Sequence, residues 1–372
     1  MVADGAKPRY GIDAYLEWVE REGLCVTEGL GIDLFSVETA EWPRFGIKAA
    51  AVHLKGRGDF CNMFVYDLGP AKSTIPQRHL YEEVIYVLEG SGSTQIETLN
   101  GRKWSFEWGP RSLFAIPLNA RHRHFNGSGR ERALLASTTS LPLMMNLLHS
   151  ERFIFETEFD FDDRFGKSEY FAGAGELITV RPGNHMWETN FVPDLAAIEL
   201  KAWGDRGAGG TNIMFVLADG SMHAHISEMP VGTYKKGHRH GPGFHVMCVT
   251  GHGYSLCWYE GDADFIRIDW KHGTVFPPAD RQFHQHFNTS RQPARYLATN
   301  LGGLRYPVTS TNRRSLLGLK PGEKGAVSTD IKKGGDQIEY EDQDPRIHRI
   351  WLEEMKKHGI EPRMAAFIPS GA

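Results

Sequence analysis

The chain of 372 residues is short of cysteine, of long apolar runs and of positive charge, and each shortage removes a class of protein. Its four cysteines, Cys25, Cys61, Cys248 and Cys257, form no CxxC pair and are too few for a disulfide framework. Reduced thiols and a cytoplasmic location are the expectation. No stretch reaches the ~18 uninterrupted apolar residues of a membrane span. The opening MVADGAKPRYG is polar and has no apolar signal region. Lys and Arg number 42 against 46 Asp and Glu, a net charge of −4, so no basic surplus invites nucleic acid. Regular helices do not alternate with the candidate strands, which argues against a parallel α/β sheet.

Glycine and histidine are plentiful. Glycine is 41 of 372, about 11% against a usual ~7%, while the 19 prolines are ordinary. That balance points to many tight turns between short strands. The length suggests two domains. Of the 17 histidines, nine (His223, His225, His238, His240, His245, His252, His272, His284 and His286) crowd into the span 223–286. Something there calls for imidazole.

Helical signals sit near the ends. Residues 12–22 carry Asp13 as a candidate N-cap and Gly23 as a stop, with Tyr15, Trp18 and Val19 on one face. A second helix is expected over about 345–358, between a capping Asp344 and Gly359, with Ile347, Trp351 and Met355 on one face. Between them lie two sets of short strands rich in aromatic and β-branched residues, over about 63–138 and 213–299.

The two sets are copies. QRHLYEEVIYVLEGSG is followed by HRHFN, with 43 residues from His79 to His122. HRHGPGFHVMCVTGHG is followed by HQHFN, with 44 residues from His240 to His284. The step from His79 to Gly90 and from His240 to Gly251 is 11 in both. Shared spacing and a shared HxHFN indicate an internal duplication of domain size.

Residues two apart on a strand face the same way, so His238 and His240 stand side by side. His284, on a later strand, is the natural third ligand. Three protein ligands leave open positions, as in a catalytic metal site.

These motifs resemble those of the cupins, G-x5-H-x-H-x3,4-E-x6-G followed by G-x5-P-x-G-x2-H-x3-N. Gly232, His238, His240 and Gly251 fit the first motif of the second copy, and His284 and Asn288 the end of its second motif. Pro117, Asn119, His122 and Asn126 fit the first copy, with Asn in place of Gly. The resemblance covers roughly 50–150 and 195–305 and implies a bicupin: an all-β chain of two tandem jelly-roll barrels with short terminal helices. The expected layout is an N-terminal helical extension over 1–45, a first barrel over 46–150 and a linker over 151–194. A second barrel over 195–310 and a C-terminal extension over 311–372 complete it.

The departures carry the chemistry. Phe244 stands where the second copy would have Glu, which leaves a three-histidine set of His238, His240 and His284. His245 is a fourth ligand if the Gly-Pro-Gly stretch shifts the register. The first copy has Gln77 in place of the first His but keeps His79, Glu83 and His122. That is either a decayed site or a two-His-one-carboxylate triad with Gln77 nearby. His223 and His225 form another HxH pair with no evident third ligand, and read as satisfied strand histidines, with a wall of the pocket as the alternative. Arg239, between two ligands, is expected to point outward.

The three-His set followed by HxHxN is similar to the gentisate and salicylate ring-cleaving dioxygenases, bicupins of about this length. The resemblance implies that His284 binds iron and that His286 lies beside the substrate as a catalytic or hydrogen-bonding group. Three neutral imidazoles leave an ion its full positive charge, which favours a small anionic substrate. Fe(II) is the expected cofactor, with Mn, Zn, Ni and Cu accepting the same ligands. The leading expectation is a mononuclear non-haem Fe(II) dioxygenase for a small aromatic or hydroxy-acid substrate. The alternatives are an O2-independent isomerase, decarboxylase or lyase using the metal as Lewis acid, and a non-enzymatic binding bicupin. A homo-oligomer is expected, with aromatics such as Trp18 and Trp351 on the terminal helices covering a subunit boundary.

Overall fold

Eight strands in the first half are matched by eight in the second, in a computed structural model that describes residues 10–56, 60–181, 183–241, 243–308 and 323–368. In the first half, Ile47–Leu54, Asn62–Leu68, Ala133–Thr139, Glu83–Glu89 and Leu113–Ile116 pair in that order in a large sheet. Arg121–Asn126, Gly92–Glu97 and Lys103–Trp108 make the facing three-stranded sheet. In the second half, Thr211–Leu217, Met222–Met229, Ala294–Leu301, His245–Thr250 and Thr274–Phe276 take the same order. Ile266–Lys271, His252–Trp258 and Phe283–Asn288 complete its small sheet. These are the two jelly-roll barrels expected from the motifs.

The duplication reaches further upstream than the motifs do. Cys25–Gly29 pairs parallel with Ile47–Leu54, and Asn184–Thr189 pairs parallel with Thr211–Leu217. Ala40–Trp42 and Lys201–Ala202 lie antiparallel on the same two strands. The segment expected as a helical extension is therefore one helix, Ala14–Glu22, followed by short strands. These strands are only two to five residues long, too short for alternation to reveal them. The linker likewise holds the helix Glu151–Glu156 and paired strands. Residues 1–9, 309–322 and 369–372 of the expected extensions lie outside the described residues.

Each barrel lends an edge to the other. Ile32–Asp33, from the N-terminal segment, pairs with Thr274–Phe276 of the second barrel. Phe191–Val192, from the linker, pairs with Leu113–Ile116 of the first. Both exchanges cover edges that would otherwise template aggregation. The two large sheets share an apolar core running from Val52, Val65 and Ala136 to Ile213, Met247 and Leu297. At its centre the hydroxyls of Thr138 and Thr299 meet at 2.9 Å. These two residues are equivalent positions in the repeat, so the barrels pack as an intramolecular pseudo-dimer.

The terminal helices face inward. Asp13 caps the first, accepting from the Leu16 backbone N–H, and Gly23 ends it in the left-handed region. The C-terminal helix runs Pro345–His358, capped by Asp344 and closed by Gly359. Trp18 and Trp351 are each 0% exposed, buried in this chain's own cores. They are not available to a second subunit, contrary to the expectation, because each helix lays its apolar face onto a barrel.

Candidate metal centre and its cavity

The second barrel gathers its histidines from two directions. Phe283–Asn288 brings His284 and His286 inward together, being two apart on one strand. The segment ending at His240 lies against it, and His238 and His284 exchange backbone hydrogen bonds of 3.1 and 2.9 Å. The ring centroids of His238 and His240 then sit 4.1 and 4.6 Å from that of His284. The donor atoms of His238, His240 and His284 all lie within 4.8 Å of one another.

The backbone fixes which nitrogen is free. Nδ1 of His238 faces the Lys236 carbonyl at 3.1 Å, that of His240 the Gly241 carbonyl at 3.0 Å, and that of His284 the Gln282 carbonyl at 3.2 Å. A carbonyl only accepts, so each Nδ1 carries the hydrogen and each Nε2 presents a lone pair. Burial holds His240 down to about 4 and pushes His238 and His284 well below the ordinary histidine range, so the imidazoles are neutral near pH 7. Three neutral Nε2 donors converging on one point fit a divalent metal.

His286 has the opposite arrangement. Trp270 donates through Nε1 to Ser255 Oγ at 3.0 Å, and Ser255 Oγ lies 2.7 Å from His286 Nδ1. The hydroxyl has no other acceptor among the described residues, so the hydrogen-bond network assigns its hydrogen to Nδ1 and places the ring N–H on Nε2. His286 is thus built as a donor beside the triad rather than as a ligand. Gly253 makes the relay possible, because a side chain there would meet the Trp270 ring at 2.5 Å and the Phe287 carbonyl at 2.0 Å.

The first barrel repeats this construction. His79 Nδ1 faces the Tyr81 carbonyl and His122 Nδ1 the Ala120 carbonyl, both at 3.0 Å. Glu83 Oε1 accepts from Tyr66 at 2.8 Å and Ser137 at 2.5 Å. Its Oε2 lies 3.4 Å from His79 Nε2 and 3.9 Å from His122 Nε2. These three atoms are sealed from solvent and have no hydrogen-bond partner. Such orphans need an explanation, and their spacing is near the ~3–3.5 Å between neighbouring ligands of one ion. Burial raises the Glu83 carboxyl, but His79, His122 and His124 outweigh it and bring it down to about 2. Trp108, Thr94 and His124 form the same relay, at 2.9 and 2.8 Å.

Gln77 is not part of this cluster. Its backbone pairs with His122 as His238 pairs with His284, but its side chain donates to the carbonyls of Arg44 and Ile75. His245 is not a fourth ligand of the second site. It starts its own strand, and its ring faces Val84, Tyr86 and Thr138 between the barrels. Arg239 turns away from the metal centre onto Asp336 and Glu260.

The rest of the cavity comes from segments outside the motifs. A space of about 120 Å³ opens in front of the second triad, near the size that holds a single aromatic ring. His223 and His225 form its wall, the alternative of the two readings of that pair, with their rings hydrogen-bonded at 2.7 Å. Phe244, Val246 and Ala298 supply apolar surface, and Val327 and Ser328 of the C-terminal segment close one side. The lining holds no Asp or Glu among the described residues. It does hold Arg206, from a turn just before the barrel, buried on Trp203 at 5.3 Å. No local motif marks Arg206, and only the fold brings it here.

The fold is two tandem jelly-roll barrels. No family model matches the chain. A 5-aminosalicylate 1,2-dioxygenase from a Comamonas species is 36% identical over 80 residues, which is 22% of this chain and 20% of that protein. The match therefore spans about a fifth of the curated relative's length. Solved oxalate decarboxylases overlie much of the chain. One from Bacillus subtilis has a TM-score of 0.48 at 16% identity, covering 74% of this chain and 78% of its own. One from Lactobacillus farciminis, in a formate complex, has 0.49 at 13%, covering 76% and 87%. Hazelnut vicilin, from Corylus avellana, has 0.46 at 9%, covering 73% and 85%. Scores of this size carry no argument about activity. No helix among the described residues is long and apolar enough to cross a membrane.

Proposed function

We propose that the second barrel is the active site of a mononuclear Fe(II) dioxygenase acting on a small, anionic, hydroxylated aromatic acid. One observation carries the reading: three Nε2 lone pairs converge at the end of a ring-sized cavity whose lining has no carboxylate among the described residues. His238, His240 and His284 would hold the ion without reducing its charge. A ferrous ion in such a site supplies the redox chemistry of O2 activation. Phe244, Val246 and Ala298 exclude water from the ring of the substrate. The Nε2–H of His286 is placed to donate to a substrate oxygen next to the metal, and to move a proton there. The short match to a 5-aminosalicylate 1,2-dioxygenase favours this chemistry. His79, Glu83 and His122 would hold a second ion with a structural role, since their donor atoms are sealed from solvent.

The test is oxygen uptake by Fe(II)-loaded protein over a panel of hydroxy- and dihydroxybenzoates. Uptake matched by loss of the aromatic absorbance supports the proposal. Turnover of the same compounds without oxygen uptake moves the site to Lewis-acid decarboxylation or isomerisation. Binding without any turnover leaves a binding bicupin.

A further inference from the structure

The cavity carries a buried cation that has no ion-pair partner among the described residues, with Asp205 and Asp336 acting on it only from a distance. Arg206 is 7% exposed, yet no Asp or Glu lies within ion-pair distance of it among the described residues. Its Nη1 donates to the Val327 carbonyl at 2.8 Å and reaches the Gln337 Oε1 at 3.5 Å. Nε and Nη2 have no acceptor among the described residues. The guanidinium plane is supported by Trp203, and the group lines the same cavity as the three metal-ligand histidines. A second buried cation, Lys235, lies behind it with Nζ 4.9 Å from the Tyr296 ring centroid and 5.8 Å from that of Trp203. It too has no carboxylate within ion-pair distance among the described residues.

Keeping a guanidinium dry without a counter-ion is expensive, and proteins do so where a ligand brings the missing charge. The fork geometry of Arg suits a planar carboxylate held by two parallel hydrogen bonds. Among the described residues, the neutral triad, the neutral His223–His225 pair and the acid-free lining leave the cavity wall with positive charge only. We propose that Arg206 is the residue that reads the substrate's carboxylate, through Nε and Nη2, and so selects aromatic monoacids over their neutral counterparts. This rests on the second-barrel cavity being the substrate site, and adds the residue and the functional group by which it chooses.

The test measures binding rather than turnover. Salicylate and salicylamide are titrated into the full-length protein, loaded with redox-silent Zn(II) and again after chelation, for wild type, R206Q and R206K. The ratio of the two affinities is compared between proteins, so any chelation of the metal common to all three cancels. Wild type is expected to prefer salicylate, and R206Q to lose roughly 10- to 100-fold of that preference, the weight of a charge-assisted pair. R206K, which keeps the charge without the fork, is expected to lose at least a few-fold, and decides the matter if R206Q does not fold. An unchanged ratio in a folded variant overturns the proposal, as does wild type binding both probes equally or neither at millimolar concentration. Absent oxygen uptake with this preference intact would fault the dioxygenase reading alone.

Discussion

Ser255→Ala tests the site where structure and chemistry separate. The Ser255 hydroxyl accepts from Trp270 and donates to His286 Nδ1, and all three residues are buried. Removing it leaves an indole N–H and an imidazole nitrogen without partners. At ~1–3 kcal/mol for each of the two buried groups left unpaired, the loss of stability is about 2–6 kcal/mol. For a chain of 372 residues that is a fall of about 3–8 °C in Tm. Thr94→Val in the first barrel breaks the equivalent pair, Trp108 to Thr94 to His124, and is expected to cost about the same. The two variants part in catalysis. His286 faces the open cavity, so S255A frees its tautomer and orientation and should lower kcat by roughly 10–100-fold. His124 is sealed, so T94V should leave kcat within about 2-fold. The assay pairs thermal unfolding with oxygen uptake on the best substrate of the hydroxybenzoate panel. Equal losses of kcat in both variants, or an S255A enzyme with normal kcat, would refute the assignment of His286 as an oriented donor.

Other outcomes follow from the same geometry. Elemental analysis should find two divalent ions per chain, H240A and E83Q each retaining one; full metal content in H240A would show that the ligand set is wrong. Stability should fall on acidification, because burial holds His223 down to about 4 while the unfolded chain protonates near 6.5. That contribution is fully present above about pH 6.5 and is lost as pH falls toward 4, at up to about 3 kcal/mol. Urea unfolding at pH 7.5 and 4.5 should show a shallower loss in H223N by about one proton. Glu83 acts lower on the scale: its stabilisation is present above its ordinary 4.5 and fades as pH drops toward about 2, so wild type should lose stability over that range faster than E83Q. Chelation should lower Tm by several degrees even when no substrate is present, since a bound ion stabilises the folded chain by mass action.

Much of this protein is local and so is written along the chain. Turn glycines, short aromatic strands and the repeated HxHFN mark two barrels, because strand length and turn chemistry are decided by neighbours in sequence. The spacing of His238 and His240 places two ligands on one face, and His79, Glu83 and His122 stand out as their unequal copy. Asp13, Gly23, Asp344 and Gly359 bound the helices for the same local reason. The choice of nitrogen on each histidine is different. It depends on which carbonyl or hydroxyl the fold sets against Nδ1, and that separates His284 from His286 although they are two residues apart on one strand. Gln77 and His245 sit in motif positions, but tertiary hydrogen bonding and packing turn them elsewhere. The buried charge of Arg206, the wall made by His223 and His225, and the exchange of edge strands between barrels all join segments distant in sequence. Composition and spacing could show that imidazoles were wanted; only packing decides which lone pairs meet and what charge they face.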